Sequence, residues 1–142
     1  NYLLSTGTIF NFLTSADKNK MKVFDSKLVE LCQDLDLNRK IISIGSRKYQ
    51  SKIKKNDLRL STSEKIKFAL VRAIYKNTNI LLLDNVWQDL DSQNIQLIRS
   101  FLAKYALNKT IIETSTSNEN LIIEPTKNYL LEGGKIIMNE SI

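Results

Sequence analysis

The sequence predicts an α/β fold, and three features carry that prediction. A helix signal ending near Tyr75 runs into the short apolar stretch Ile80-Leu81-Leu82-Leu83, which stops at Asp84. A second amphipathic stretch, over residues 92–106, is followed by another short run, Thr110-Ile111-Ile112. Near the end, two apolar runs flank Gly133-Gly134. Helical patterns alternating with short strands imply a parallel sheet, because parallel neighbours need a crossover between them.

Each element follows from its own pattern. Ile9, Phe10, Phe12 and Leu13 lie close together ahead of a largely polar break over residues 14–22. Val23, Phe24, Leu28, Leu31 and Leu35 then recur mostly at three- and four-residue spacings, which predicts one apolar stripe on a helix over 23–35. Asp25 and Ser26 fit its early turn. After Ile41, Ile42 and Ile44 the chain to Asp57 is polar, lysine-rich and without periodicity, as an extended loop would be. Ser61 followed three residues later by Glu64 is a capping box: the hydroxyl accepts from an orphan amide while the carboxylate reaches back. The helix it starts shows a broad apolar face from Ile66 to Ile74 and ends in Lys76-Asn77-Thr78-Asn79. The run 80–83 reads as a parallel strand buried on both faces. Asp84 falls at its C-terminal end, the edge where open α/β sheets hold ligands and metals. Ile95, Leu97, Ile98, Phe101 and Leu102 form the stripe of the next helix, Thr110-Ile111-Ile112 the next parallel strand, and the runs around Gly133-Gly134 a hairpin.

Composition limits the function. The 142 residues amount to one domain or less, with 42% hydrophobic and 25% charged residues, enough to bury a core. No apolar run approaches the roughly 20 residues of a spanning helix, so a membrane role is expected to come through a partner. The chain opens at Asn1 without an initiator Met or a signal-peptide pattern, and is expected to be part of something longer. Its single cysteine, Cys32, sits in a helical stripe and reads as a small buried hydrophobe in a reducing compartment. With no histidine, this chain supplies neither a His-assisted nucleophile nor a His-ligated metal. The net charge of +6 admits a nucleic-acid or anionic-membrane partner. The basic residues cluster in Arg47, Lys48, Lys52, Lys54 and Lys55 around Tyr49, a pattern more typical of a solvated loop.

Leu60-Ser61-Thr62-Ser63-Glu64, a helix carrying Val71-Arg72-Ala73, the strand ending in Asp84, and Asp89-Leu90-Asp91 follow one another in an order that resembles the signature, signature helix, Walker B strand and D-loop of the ATP-binding cassette (ABC) ATPases. Ser5-Thr6-Gly7-Thr8-Ile9 with Asn11-Phe12-Leu13 resembles the element after the Q-loop in ABC exporters. Lys109-Thr110-Ile111-Ile112 resembles the strand before the switch histidine, and Leu131-Glu132-Gly133-Gly134-Lys135-Ile136 the closing hairpin. The resemblance implies a partial P-loop NTPase-like ABC ATPase domain lacking the Walker A lobe. Residues 1–59 would be the post-Q-loop segment and helical subdomain, and 60–142 the signature helix, Walker B strand, D-loop and C-terminal part of the ATPase core. It also implies ATP and Mg2+ as cofactors, a second nucleotide-binding domain and transmembrane domains as partners, and a place at the cytoplasmic face of a membrane. No nucleic acid is expected: chromosome-maintenance ATPases share the Ser63-Glu64-Lys65 feature but carry long heptad arms, absent here.

Several positions depart from the family pattern. No Gly-x-x-x-x-Gly-Lys-[Ser/Thr] loop occurs, so the β- and γ-phosphates have no cradle within these residues. Asp84 matches the Walker B acid that holds magnesium. The catalytic glutamate position is Asn85, whose carboxamide can orient a water but cannot take its proton. The switch-histidine position is Thr116. Thr62 and Ser63 replace the two signature glycines that let backbone approach a phosphate, and Glu64 adds a negative charge there. Asp91 matches the D-loop acid. Each residue also has a plainer reading: Ser61 and Glu64 as a cap alone, Asp84 and Asp91 as turn or cap residues, Arg72 as an ion-pair partner, Asn85 and Thr116 as ordinary loop residues. Two functions follow for the whole: a degenerate nucleotide-binding domain of an exporter, or a catalytically inactive cassette serving as an interaction or regulatory module.

Overall fold

The computed structural model describes residues 6–15, 25–88, 90–116 and 123–139. Ser5, Val23, Phe24 and Asp89, used in the motif and helix readings, lie outside them. In chain order the elements are β1 (Gly7–Thr8), α1 (Ile9–Thr14), α2 (Ser26–Asp34), α3 (Asn38–Ile44), a 3-10 turn (Lys48–Gln50), β2 (Lys52–Ile53), α4 (Thr62–Tyr75), β3 (Ile80–Asp84), α5 (Ser92–Tyr105), β4 (Thr110–Thr114), β5 (Asn128–Glu132) and β6 (Lys135–Asn139).

Side-chain caps set the starts of α1, α2, α4 and α5, whereas α3 begins after Leu37 without one. Thr8 accepts from the Asn11 amide, Asp25 from Leu28, Ser61 from Glu64 and Asp91 from Asn94, each satisfying a donor the first turn leaves orphaned. For α2 the cap at Asp25 places the start inside the expected 23–35 stripe. The Ser61 capping box is reciprocal, with the Glu64 carboxylate accepting from the Ser61 amide at 2.8 Å.

β3 and β4 pair in parallel, with Asp84 opposite Thr114. Contrary to the expectation of a strand covered on both faces, only alternate residues are buried. Leu81 and Leu83 enter the core, whereas Ile80 and Leu82 are 56% and 70% exposed. Side chains alternate across a strand, and the core covers just one face of this two-stranded sheet. The extended loop expected over 45–57 is also more ordered than its sequence indicated: it holds the 3-10 turn and β2, which pairs antiparallel with β1. Two-residue strands are too short to display a period. The loop's order comes from burial of Ser51 and Ile53 and from Asp57, whose carboxylate gathers the Lys54 and Arg59 amides and the Arg59 guanidinium. The five basic residues of this stretch are exposed, as a solvated loop requires.

One core joins α1, α2, α4, β3 and α5 through Ile9, Leu31, Phe68, Leu83, Phe101 and their neighbours. Outside it, α2 is tied to α4 by the Tyr75 hydroxyl donating to Asp25, and to α5 by Lys104, which reaches Glu30 (3.1 Å) and Asp34 (2.8 Å). Arg72, expected in an ion pair, instead places its guanidinium 5.0 Å from the Phe12 ring centroid; among the described residues no carboxylate pairs with it. An aromatic face attracts a cation without the desolvation cost of a second charge. The hairpin turns on Gly133 (φ 56°) and Gly134 (φ 76°), both in the left-handed region that a two-residue type I′ loop demands.

Candidate functional site

Three groups of side chains carry the candidate positions, one at the end of β3 and one at each of the capped starts of α4 and α5. The first is Asp84 at the last position of β3. Its Oδ1 accepts from the Thr114 hydroxyl at 2.7 Å. Asn85 follows with φ 46°, a left-handed conformation that Asn tolerates better than most residues. Its amide donates both to the Thr114 carbonyl and to the Thr114 hydroxyl, each at 3.1 Å. Beyond it, Val86 and Trp87 bury the turn in the core, and Trp87 Nε1 is a buried donor without a partner among the described residues. Gln88 Nε2 then donates to Thr116 Oγ1 at 2.9 Å, closing the turn after β3 onto the end of β4.

The second group is the start of α4. Ser61 and Thr62 are exposed, Ser63 and Glu64 half-buried, and the Ser61 and Ser63 hydroxyls lie 3.0 Å apart. Glu64 is neutralised locally: besides the cap, it forms a salt bridge with Lys40 (3.1 Å), which also donates to the Arg59 carbonyl. The third is Asp91, whose carboxylate is held below its ordinary range by the backbone and side-chain donors of Asn94. Lys67 links the second and third groups. Buried on α4, its ammonium is pushed down by desolvation and favoured by the charges of Asp36, Glu64 and Asp91.

Asp84, Asn85 and Thr116, picked from sequence, thus share one end of the sheet. Ser61 and Asp91 act as helix caps in the structure, the plainer reading given to each. Sequence reasoning missed Thr114, Gln88 and Lys40. Thr114 becomes visible only through the strand register, and Lys40 sits 24 residues before its partner.

Divalent-cation chemistry fits this donor set in one form. Among the described residues no three His, Cys, Asp or Glu side chains converge, so a self-sufficient metal cage is not formed. A single exposed carboxylate suits Mg2+, which is commonly held by one or two carboxylates with the rest of its shell from phosphates and water.

The fold is shared with a solved ABC exporter. A bacterial Atm1-family ABC exporter with ATP bound superposes with a TM-score of 0.64 over 80% of this chain and 19% of that one, at 23% identity, a likeness of fold. No protein-family profile matches the chain. Among curated proteins, the ABC multidrug transporter MDR1 of Cryptococcus neoformans is 31% identical over 110 residues, 77% of this chain and 8% of that protein. ATP-binding cassette sub-family B member 6 of Rattus norvegicus is 33% identical over 62% of this chain and 10% of its own length. The ABC transporter aclQ of Aspergillus oryzae is 27% identical over 95% of this chain and 16% of its own. The chain belongs with the ABC transporters. It spans less than a fifth of the length of these relatives.

Proposed function

We propose that the chain is the part of an exporter's nucleotide-binding domain that follows the phosphate-binding loop. Residues 1–59 form the post-Q-loop segment and helical subdomain, and 60–142 the signature helix, Walker B strand, D-loop and end of the ATPase core. The observation that carries this reading is Asp84: an exposed carboxylate at the C-terminal end of a parallel strand, one oxygen held by Thr114, with Asn85 next to it and Thr116 tied to the following turn through Gln88. Further support comes from the open face of the sheet. Ile80, Leu82 and Ile112 are exposed there, and Ile80 and Leu82 line a cleft of about 370 Å³ together with Lys65, Arg72 and Lys76. Apolar surface of this kind is usually covered by protein, and a phosphate-loop lobe is the natural cover.

In this reading ATP and Mg2+ are the cofactors, with Asp84 holding the cation and Ser61, Thr62, Ser63, Glu64 and Asp91 facing nucleotide across a dimer with a second nucleotide-binding domain. Transmembrane domains are the other partners, at the cytoplasmic face of a membrane. The site is degenerate. Asn85 cannot serve as a general base, and Thr116 offers no cationic donor to a γ-phosphate. Side chains at Thr62 and Ser63 obstruct the backbone approach that glycines allow. Phosphoryl transfer depends chiefly on positioning and charge stabilisation, so the site binds nucleotide but turns it over slowly.

The test is nucleotide binding and hydrolysis by the full-length polypeptide that contains this chain. Asp84→Ala is expected to lose Mg2+-dependent ATP binding, and Asn85→Glu to raise turnover at least tenfold. Absence of any nucleotide binding would replace this reading with the inactive interaction module.

A further inference from the structure

β4 ends on a hydroxyl. Thr114 stands opposite Asp84 in the parallel register, so both side chains leave the same, open face of the sheet. Its Oγ1 donates to Asp84 Oδ1 at 2.7 Å and accepts the Asn85 amide at 3.1 Å. A threonine hydroxyl has a single proton to give. Accepting from Asn85 directs that proton onto Asp84, and the donation leaves Asp84 Oδ2 as the oxygen free to meet a cation. The Thr114 carbonyl takes the same Asn85 amide at 3.1 Å, so one residue also holds Asn85 in its left-handed conformation.

We propose that Thr114 is a positioning residue that orients the Asp84 carboxylate toward a phosphate-bound divalent cation and fixes Asn85 beside it. The inference rests on the reading of Asp84 as the cation-holding acid. Its physical basis is the dependence of a metal ligand on its outer-shell hydrogen bonds: partners of ligating carboxylates typically change metal affinity 10–100-fold when removed. Val is the discriminating substitution. It keeps the β-branched shape a strand position favours and deletes only the hydroxyl.

The probe is Mn2+, titrated by electron paramagnetic resonance into the full-length polypeptide with ATP present. Thr114→Val is expected to weaken Mn2+ binding about tenfold, within the range for lost outer-shell partners, while metal-free ATP affinity and the melting temperature stay unchanged. Thr114→Ser restores the affinity, because it restores the hydroxyl. Unchanged Mn2+ affinity in Thr114→Val beside its loss in Asp84→Ala overturns the role of Thr114 and leaves that of Asp84 standing. A loss in Thr114→Val that Ser does not rescue overturns it in favour of packing. Mn2+ binding that is absent from the wild type, or indifferent to Asp84→Ala, overturns both.

Discussion

Replacing Asp57 with Ala should destabilise the chain by about 2–3 kcal/mol, and the structure supplies the terms. Only 6% exposed, the Asp57 carboxylate accepts from the Lys54 amide (3.1 Å), the Arg59 amide (3.1 Å), Arg59 Nε (2.8 Å) and Arg59 Nη2 (2.6 Å). Each of the two backbone bonds to a charged acceptor contributes about 1.5 kcal/mol at the low end of its range. The ion pair adds less than about 1 kcal/mol, because the Arg59 side chain is 48% exposed and screened. Water reaching the freed amides takes some of this back. Arg59 stays tethered in the variant through the Ile44 and Lys52 carbonyls, so the loss concentrates on the turn itself. The effect has a pH signature. Hydrogen bonds from Arg59 hold the Asp57 carboxyl well below the usual carboxylate range. Its contribution is therefore complete above the unfolded value of about 3.9 and is lost as pH falls from there through the folded value. Urea unfolding followed by Trp87, the chain's single tryptophan, measures the gap between wild type and Asp57→Ala. A gap under about 0.5 kcal/mol at pH 7, the level of an ordinary surface change, refutes the reasoning. So does a gap that persists undiminished at pH 2.

Two further outcomes follow from the same structure. Ser61→Ala removes the cap of α4 and should cost about 1 kcal/mol, with faster hydrogen exchange confined to the first turn; protection unchanged at Glu64 and Lys65 would contradict the capping role. Burial pushes the Cys32 thiol up to about 12, so iodoacetamide at pH 8 should label it only as fast as the chain unfolds, and rapid native labelling would show the thiol to be accessible.

Much of the fold was legible where a pattern was long enough to repeat. The Ser61-Glu64 box, the stripes of α4 and α5, the parallel strands and the diglycine hairpin all appear where sequence reasoning put them. Three things were hidden for physical reasons. Two-residue strands such as β1 and β2 carry no period. An unbroken apolar run cannot say whether one face or both are covered, and β3 proved open on the Ile80 and Leu82 side. Contacts that depend on register or on chain separation are silent in sequence, so Arg72 found the Phe12 ring and Glu64 found Lys40. In the candidate site, the strand-end position of Asp84 was readable from the run before it. Its hydroxyl partner on the neighbouring strand was not.

The central claim is that Asp84 faces a magnesium-bound nucleotide within a larger ATPase domain. The most direct measurement is a structure of the full-length polypeptide determined with ATP and Mg2+. The account predicts phosphate density beside Asp84 and Asn85, and protein covering the face now formed by Ile80, Leu82 and Ile112. Nucleotide density absent from the Asp84 edge, with that face covered by a different partner, would contradict it.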